Sequence, residues 1–188
     1  MKIFTSDLHH RHKRILEMTN RSTETTVELH DDWLVELWNS QVQKQDEVYH
    51  LGDLSFAYKY EDIADFVKKL NGNIHLIKGN HDQEKHLNRL KEDGLINNWW
   101  DYKEIKIQDV RVCLFHYAIS TWNQQGRGSI HLHGHSHGNF KGSKGKMLDV
   151  SIDSAYNIKG KHVFFTEDYI MNYMSHQEVY CNDHHKII

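Results

Sequence analysis

Two stretches of the chain carry apolar residues at helical spacing. In residues 61–70, Ile63, Phe66, Val67 and Leu70 recur at i, i+3, i+4 and i+7, which predicts a helix with one apolar face. Acids lead this segment, two lysines trail it, and Asn71-Gly72 supplies the stop. Residues 27–42 place Val27, Leu34, Leu37 and Trp38 on one face of a second helix. A third, 166–175, starts at a Thr cap with Glu167 and Asp168 in its first turn. Short apolar runs predict strands at 3–4, 48–51, 74–77, 105–107, 110–115, 130–132, 148–152 and 163–165, and Gln108-Asp109 reads as a tight hairpin turn. Strands and helices alternate early, and strands dominate from about residue 100. A closed eightfold barrel needs about 250 residues, so a chain of 188 is not one.

The composition adds bounds. At 38% hydrophobic, 11% aromatic and 26% charged, the chain reads as one globular domain spanning residues 1–188, neither disordered nor fibrous. Lys and Arg number 23 against 26 Asp and Glu, a formal charge of −3, so there is no global basic excess for a nucleic-acid backbone. Asp7 comes too early for a secretory signal, and no apolar run is long enough to span a membrane. Cys113 lies inside a strand-like apolar run, and with Cys181 it makes no disulfide framework; a buried thiol in a reducing cytoplasm is the expectation. Proline is absent, and histidine occurs 17 times.

The histidines are informative because of where they fall. Residues 3–4 run into Asp7-Leu8-His9, 48–51 into Gly52-Asp53, and 74–77 into Gly79-Asn80-His81-Asp82. Residues 110–115 run into His116, and 130–132 into Gly134-His135-Ser136-His137. Five apolar strands thus end in loops bearing Asp, Asn or His, and loops at the carboxyl ends of strands are where α/β sheets bind ligands. Asp7, His9, Asp53, Asn80, His116, His135 and His137 are too many donors for one metal ion, and none is a thiolate. Two divalent ions sharing a carboxylate would use them all. Mixed carboxylate, amide and imidazole donors favour Mn, with Fe or Zn next, over Mg, Ca or Cu(I).

In this order the motifs D-x-H, GD, GNHD, a lone H and GHxH resemble the calcineurin-like metallophosphoesterase superfamily, across residues 7–137. The likeness is greatest to its small uncapped bacterial and phage members. It implies an α/β fold, a two-sheet β-sandwich flanked by helices. It also implies that Asp7, His9, Asp53 and His137 hold one metal ion while Asp53, Asn80, His116 and His135 hold the other, with Asp53 as the bridge. A hydroxide between the ions would attack phosphorus in line, His81 would steady the phosphoryl group or protonate the leaving oxygen, and Asp82 would orient His81. The chain departs from the family pattern at Ala118, where proline often follows the His-Tyr pair, and at Arg11, where glycine is usual.

Weaker signals remain. His131 and His133 alternate along the strand into the GHSH turn and read as structural. Lys141, Lys144 and Lys146 lack P-loop spacing and read as a solvated turn. Asp183-His184-His185 lies in a tail expected to be disordered from about residue 180. Arg11, His12, Trp122, Asn123 and Arg127 flank the ligand loops and are candidates to line the substrate mouth. The sequence therefore points to a cytoplasmic dimetal phosphohydrolase acting on a phosphomonoester or phosphodiester. About 50 residues follow His137 and leave no room for a specificity domain, which favours a small, nucleotide-like substrate. The alternatives are a non-catalytic scaffold of the same fold, disfavoured by the complete donor set, and a histidine-rich metal-binding protein.

Overall fold

The computed structural model describes residues 1–21, 26–142 and 144–181, so the Asp183-His184-His185 motif lies outside the described residues. Alternation of side chains along the early strands sets up the layers. β1 (Lys2–Thr5), β2 (Glu47–His50), β3 (Asn73–Ile77) and β4 (Asn98–Trp100) are parallel neighbours, with β9 (Phe165–Thr166) antiparallel on the free side of β1. Ile3, Val48, Ile74 and Leu76 face one way and pack on α2 (Val27–Gln41), α3 (Tyr60–Val67) and α4 (Glu84–Glu92). Phe4, Leu51 and Ile77 face the other way, into a second apolar cluster.

That second cluster lies between the two sheets. The second sheet runs β5 (Tyr102–Ile107), β6 (Val110–Phe115), β7 (Ile130–His133) and β8 (Met147–Asp149). Ile107, Val112, Leu114, Ile130, Leu132 and Leu148 meet Phe4, Leu51 and Ile77 there. β5 and β6 form the expected hairpin: Ile107 faces Val110 in register, and Gln108 and Asp109 both take positive φ (47° and 67°), as a two-residue turn with this twist demands. β6, β7 and β8 are parallel. The architecture is the expected α/β sandwich of two sheets flanked by helices. Among the described residues no helix is long and apolar enough to cross a membrane.

Local chemistry explains where the elements stop. Thr166 caps α6 (Glu167–Ser175) by accepting a hydrogen bond from the Tyr169 N–H. The run at 148–152 is only partly a strand. Ser151 accepts from the Ser154 N–H and caps α5 (Ile152–Lys159), so the apolar residue Ile152 opens a helix instead of ending a strand. The helix expected over 61–70 ends as α3 at Val67, with Lys69 and Leu70 continuing in tighter i+3 bonds to Phe66 and Val67. Cys113 is fully buried, as expected.

Trp38 anchors the helical layer. It has no exposed surface, and its indole N–H donates to the Asn71 carbonyl at 2.8 Å. Trp38→Ala therefore loses both packing and a satisfied polar group, and should cost about 3–5 kcal/mol in denaturant unfolding. A loss below about 1 kcal/mol would contradict this placement of the core.

Candidate metal centre

Parallel strand order brings the five loops to one place. The loops after β1, β2 and β3 leave the same end of the first sheet, and those after β6 and β7 leave the same end of the second. Backbone bonds then join them. The Asp7 N–H donates to the Gly52 carbonyl at 2.9 Å, His9 N–H to the Asp53 carbonyl at 3.1 Å, and Gly134 N–H to the His116 carbonyl at 2.9 Å. Across the two sheets, the His135 N–H donates to Asp7 Oδ2 at 3.0 Å.

The backbone at these loops is unusual. Asp7, His9, Asp53, His135 and His137 all have positive φ, between 49° and 66°. Each non-glycine residue in this left-handed region costs on the order of 1–2 kcal/mol, and such costs persist where the surroundings over-determine them, typically at functional sites. Two motif glycines serve close approach. A Cβ on Gly79 would lie 2.2 Å from Asp53 Oδ1, and one on Gly134 would lie 2.5 Å from Asp7 Oδ2. Each glycine makes room for a carboxylate contributed by another loop.

The donors fall into two groups, Asp7–His9–His137 and Asp53–His116–His135, each with ligand atoms within 4.8 Å of one another. Asp53 Oδ2 lies 3.7 Å from His9 Nε2 and 3.5 Å from His116 Nε2, so it stands between the groups. Asp7 Oδ1 lies 3.8 Å from both His9 Nε2 and His137 Nε2. These separations are too long for hydrogen bonds and suit atoms that share a cation.

The chemistry of the donors fits metal ions. His9 Nε2 is buried and has no hydrogen-bond partner among the described residues. His116 Nδ1 must donate to the Leu51 carbonyl at 2.7 Å, which leaves Nε2 as a lone pair facing Asn80 Oδ1 at 3.0 Å and Asp53 Oδ2. Acceptors converging in this way call for a cation. Without one, a proton takes the place: burial opposes charging His116, yet the neighbouring carboxylates of Asp53 and Asp7 raise its pKa to about 9. Burial likewise opposes ionising Asp7, but His9, His137 and His116 hold it well below the usual carboxylate range.

The other expected site residues are placed as follows. His81 sits at the rim with its side chain 38% exposed, its Nε2 3.9 Å from Asp53 Oδ2, while its N–H donates to Asp53 Oδ1 at 2.9 Å. Asp82 does not reach for the His81 ring. Its carboxylate accepts from the N–H groups of Asp53, Leu54 and Gly79 (2.8, 3.1 and 2.8 Å), so it braces the Asp53 loop. Burial and the charge of Asp53 raise its pKa to about 6. His12 faces the centre, Nδ1 to Nδ1 with His9 at 3.1 Å.

Arg11 turns away from the centre. Its guanidinium lies 3.5 Å from Asp31 and 3.8 Å from Glu28, beside a cleft of about 350 Å³ that also carries Asp32, Asp62 and Asp65. Arg127 is at the wrong end of its sheet. Because β6 and β7 are parallel, the chain between them must return to the start of β7, and residues 122–129 lie there. Trp122 is buried with its N–H on the Ser129 carbonyl, and Asn123 bonds Glu104, so neither lines a mouth. His131 bonds the Cys113 and Tyr117 carbonyls and His133 bonds the Gly134 carbonyl, both buried in structural roles. Lys144 lies over the Tyr180 ring, and Lys141 is exposed.

Three residues near the centre escape a reading by motif. Phe56, 41% exposed, stacks on His12 with ring centroids 3.9 Å apart and lies 4.4 Å from the His81 ring. Asp153 and Arg21 form a buried pair behind His137. A polar residue two positions into a Ser-capped helix was the available signal for Asp153; nothing local marked Arg21.

Comparison with known proteins finds no family model that matches. The Gene 66 protein of Mycobacterium phage L5 is 32% identical over 160 residues, covering 71% of this chain and 76% of its own length. Protein MJ1445 of Methanocaldococcus jannaschii is 30% identical over 157 residues, covering 79% of each. Among solved structures, the Aquifex aeolicus protein of unknown function AQ665 superposes with a TM-score of 0.68 at 22% identity, covering 92% of this chain and 98% of its own, so the two share a fold. The E. coli phosphoesterase YfcE and an archaeal phosphodiesterase align more loosely, each at 17% identity with TM-scores of 0.45 and 0.48. They cover 80% and 85% of this chain and 78% and 87% of their own. With a donor set from five strand ends and relatives at this level of identity, the chain belongs to the family of the phage L5 Gene 66 protein and the M. jannaschii protein MJ1445.

Proposed function

We propose that this protein is a dimetal phosphohydrolase that cleaves a phosphomonoester or phosphodiester bond in a small, nucleotide-like substrate. The observation that carries the reading is Asp53 Oδ2, which faces His9 of one donor group and His116 of the other. Asp7, His9, Asp53 and His137 would hold one ion, and Asp53, Asn80, His116 and His135 the other. Oxygen and imidazole donors favour Mn, with Fe or Zn as the alternatives. When bound, such a pair acidifies water and neutralises charge on a phosphoryl group.

The chain's own groups do the rest. Asp53 and Asp7 are held by backbone N–H groups of His81 and His135, so the ligand carboxylates are oriented before anything binds. Asp82 fixes the turn that presents Asp53. His81, partly in solvent beside Asp53, would contact the phosphoryl group and hand a proton to the leaving oxygen. His12 and Phe56 form the wall next to His81.

Three outcomes test the reading. Reconstituted protein should contain two ions per chain by elemental analysis, and stripping them should lower stability by about 2.7 kcal/mol per independent site at 100-fold excess over Kd. One ion or none would overturn the dimetal assignment. Asp53→Asn should keep the fold, by circular dichroism, and lose nearly all turnover on a panel of phosphate esters. His81→Ala should retain both ions yet lose about 10²–10⁴ in kcat, most on an alkyl phosphate ester and least on a nitrophenyl ester, whose leaving group departs without a proton. Equal losses on the two esters would exclude proton donation by His81.

A further inference from the structure

The imidazole of His137 is backed by an ion pair far away in sequence. Its Nδ1 lies 2.6 Å from Asp153 Oδ2. Asp153 in turn accepts from Arg21 twice, from Nε at 2.9 Å and from Nη2 at 2.7 Å, across 132 residues of chain. The Arg21 side chain has no exposed surface. Its other bonds go to the first ligand loop: Nη1 donates to the Leu8 carbonyl at 2.7 Å, and Nη2 to the Asp7 carbonyl. One guanidinium therefore grips the backbone of Asp7 and Leu8, just ahead of His9, together with the carboxylate that orients His137.

A merely structural role would not need this arrangement. The GHSH turn is already tied to the start of α5 by Asp149, which accepts from the Gly138 and Ser151 N–H groups at 2.8 Å each. Asp153 adds a negative charge on the far nitrogen of one ligand ring. A carboxylate there fixes the tautomer and makes the near nitrogen a stronger donor. The other donor group is backed differently, because His116 Nδ1 rests on the neutral Leu51 carbonyl.

We infer that Arg21 and Asp153 are positioning residues for the Asp7–His9–His137 metal position and set its affinity separately from that of the Asp53–His116–His135 position. The inference rests on the dimetal reading. Mn²⁺ alone, titrated into metal-free protein by calorimetry with elemental analysis of the product, tests it. Wild type is measured first; fewer than two ions there overturns the dimetal reading and this inference with it.

With two ions in wild type, Asp153→Asn should weaken one binding step about 10- to 100-fold and leave the other within about twofold. His137→Ala should weaken the same step, and adding Asp153→Asn to it should cause little further loss. Arg21→Lys, which keeps the charge but not the paired hydrogen bonds, should act on that step too, and serves if Asp153→Asn melts before titration. Thermal melting of the metal-free variants gives the structural control. Unchanged affinities, or equal weakening of both steps, would overturn the inference.

Discussion

Two carboxylates taken out of water govern this molecule. Asp7 has no exposed surface and Asp53 only 2%, and they stand close enough to share histidine neighbours. Two buried negative charges at this range repel one another and lose hydration, so the surroundings must supply positive charge and N–H donors. His9, His116 and His137 gather around them, and the N–H groups of His81 and His135 point at their oxygens. Five of the residues that bring donors to this place, Asp7, His9, Asp53, His135 and His137, also hold left-handed backbone there.

Such a site destabilises its own loops, and the offset comes from elsewhere. Sheet one carries apolar faces on both sides, one against three helices and the other against the second sheet. The strand ends therefore emerge from the most deeply packed part of the molecule, where the direction of each loop is fixed before its ligand is placed. The glycines at 79 and 134 show how tightly the loops then close, since each would collide with a carboxylate if it carried a single methyl group.

The sequence made the sheet layers and the donor set legible for one reason: both are local. Alternating apolar runs mark strands, and a loop that must supply a ligand carries Asp, Asn or His directly after the run. Elements with weak apolar content were not legible. α4 has no apolar position beyond Leu87 and Leu90, and β4 is missed for a different reason, being an edge strand of only three residues. At 148–152 the alternation of Leu148, Val150 and Ile152 masked a helix cap at Ser151. Asp82 was misjudged because adjacency to His81 suggested a side-chain partner, while its carboxylate turns back onto three backbone N–H groups. Arg127 was misjudged because nearness in sequence to the GHSH turn is not nearness in space when a parallel crossover intervenes.

Arg21 and Asp153 were invisible for the opposite reason, being joined only by the fold. Their pairing has a consequence for how the two halves of the centre depend on the chain. The Asp53–His116 side is held by contacts among the strand ends themselves: Asp82 accepts from three backbone N–H groups around Asp53, and His116 Nδ1 donates to the Leu51 carbonyl. Completing the Asp7–His9–His137 side also requires α5 to dock, because Asp153 is in its first turn, and requires the segment after α1 (Ile15–Met18) to bring Arg21 inward. A lone buried arginine is costly and a lone buried aspartate no less so, which couples these two distant segments to each other and to the loop between Asp7 and His9. The centre is thus asymmetric in its support even though its two donor sets are alike in chemistry, because one side leans on a buried ion pair that joins segments 132 residues apart.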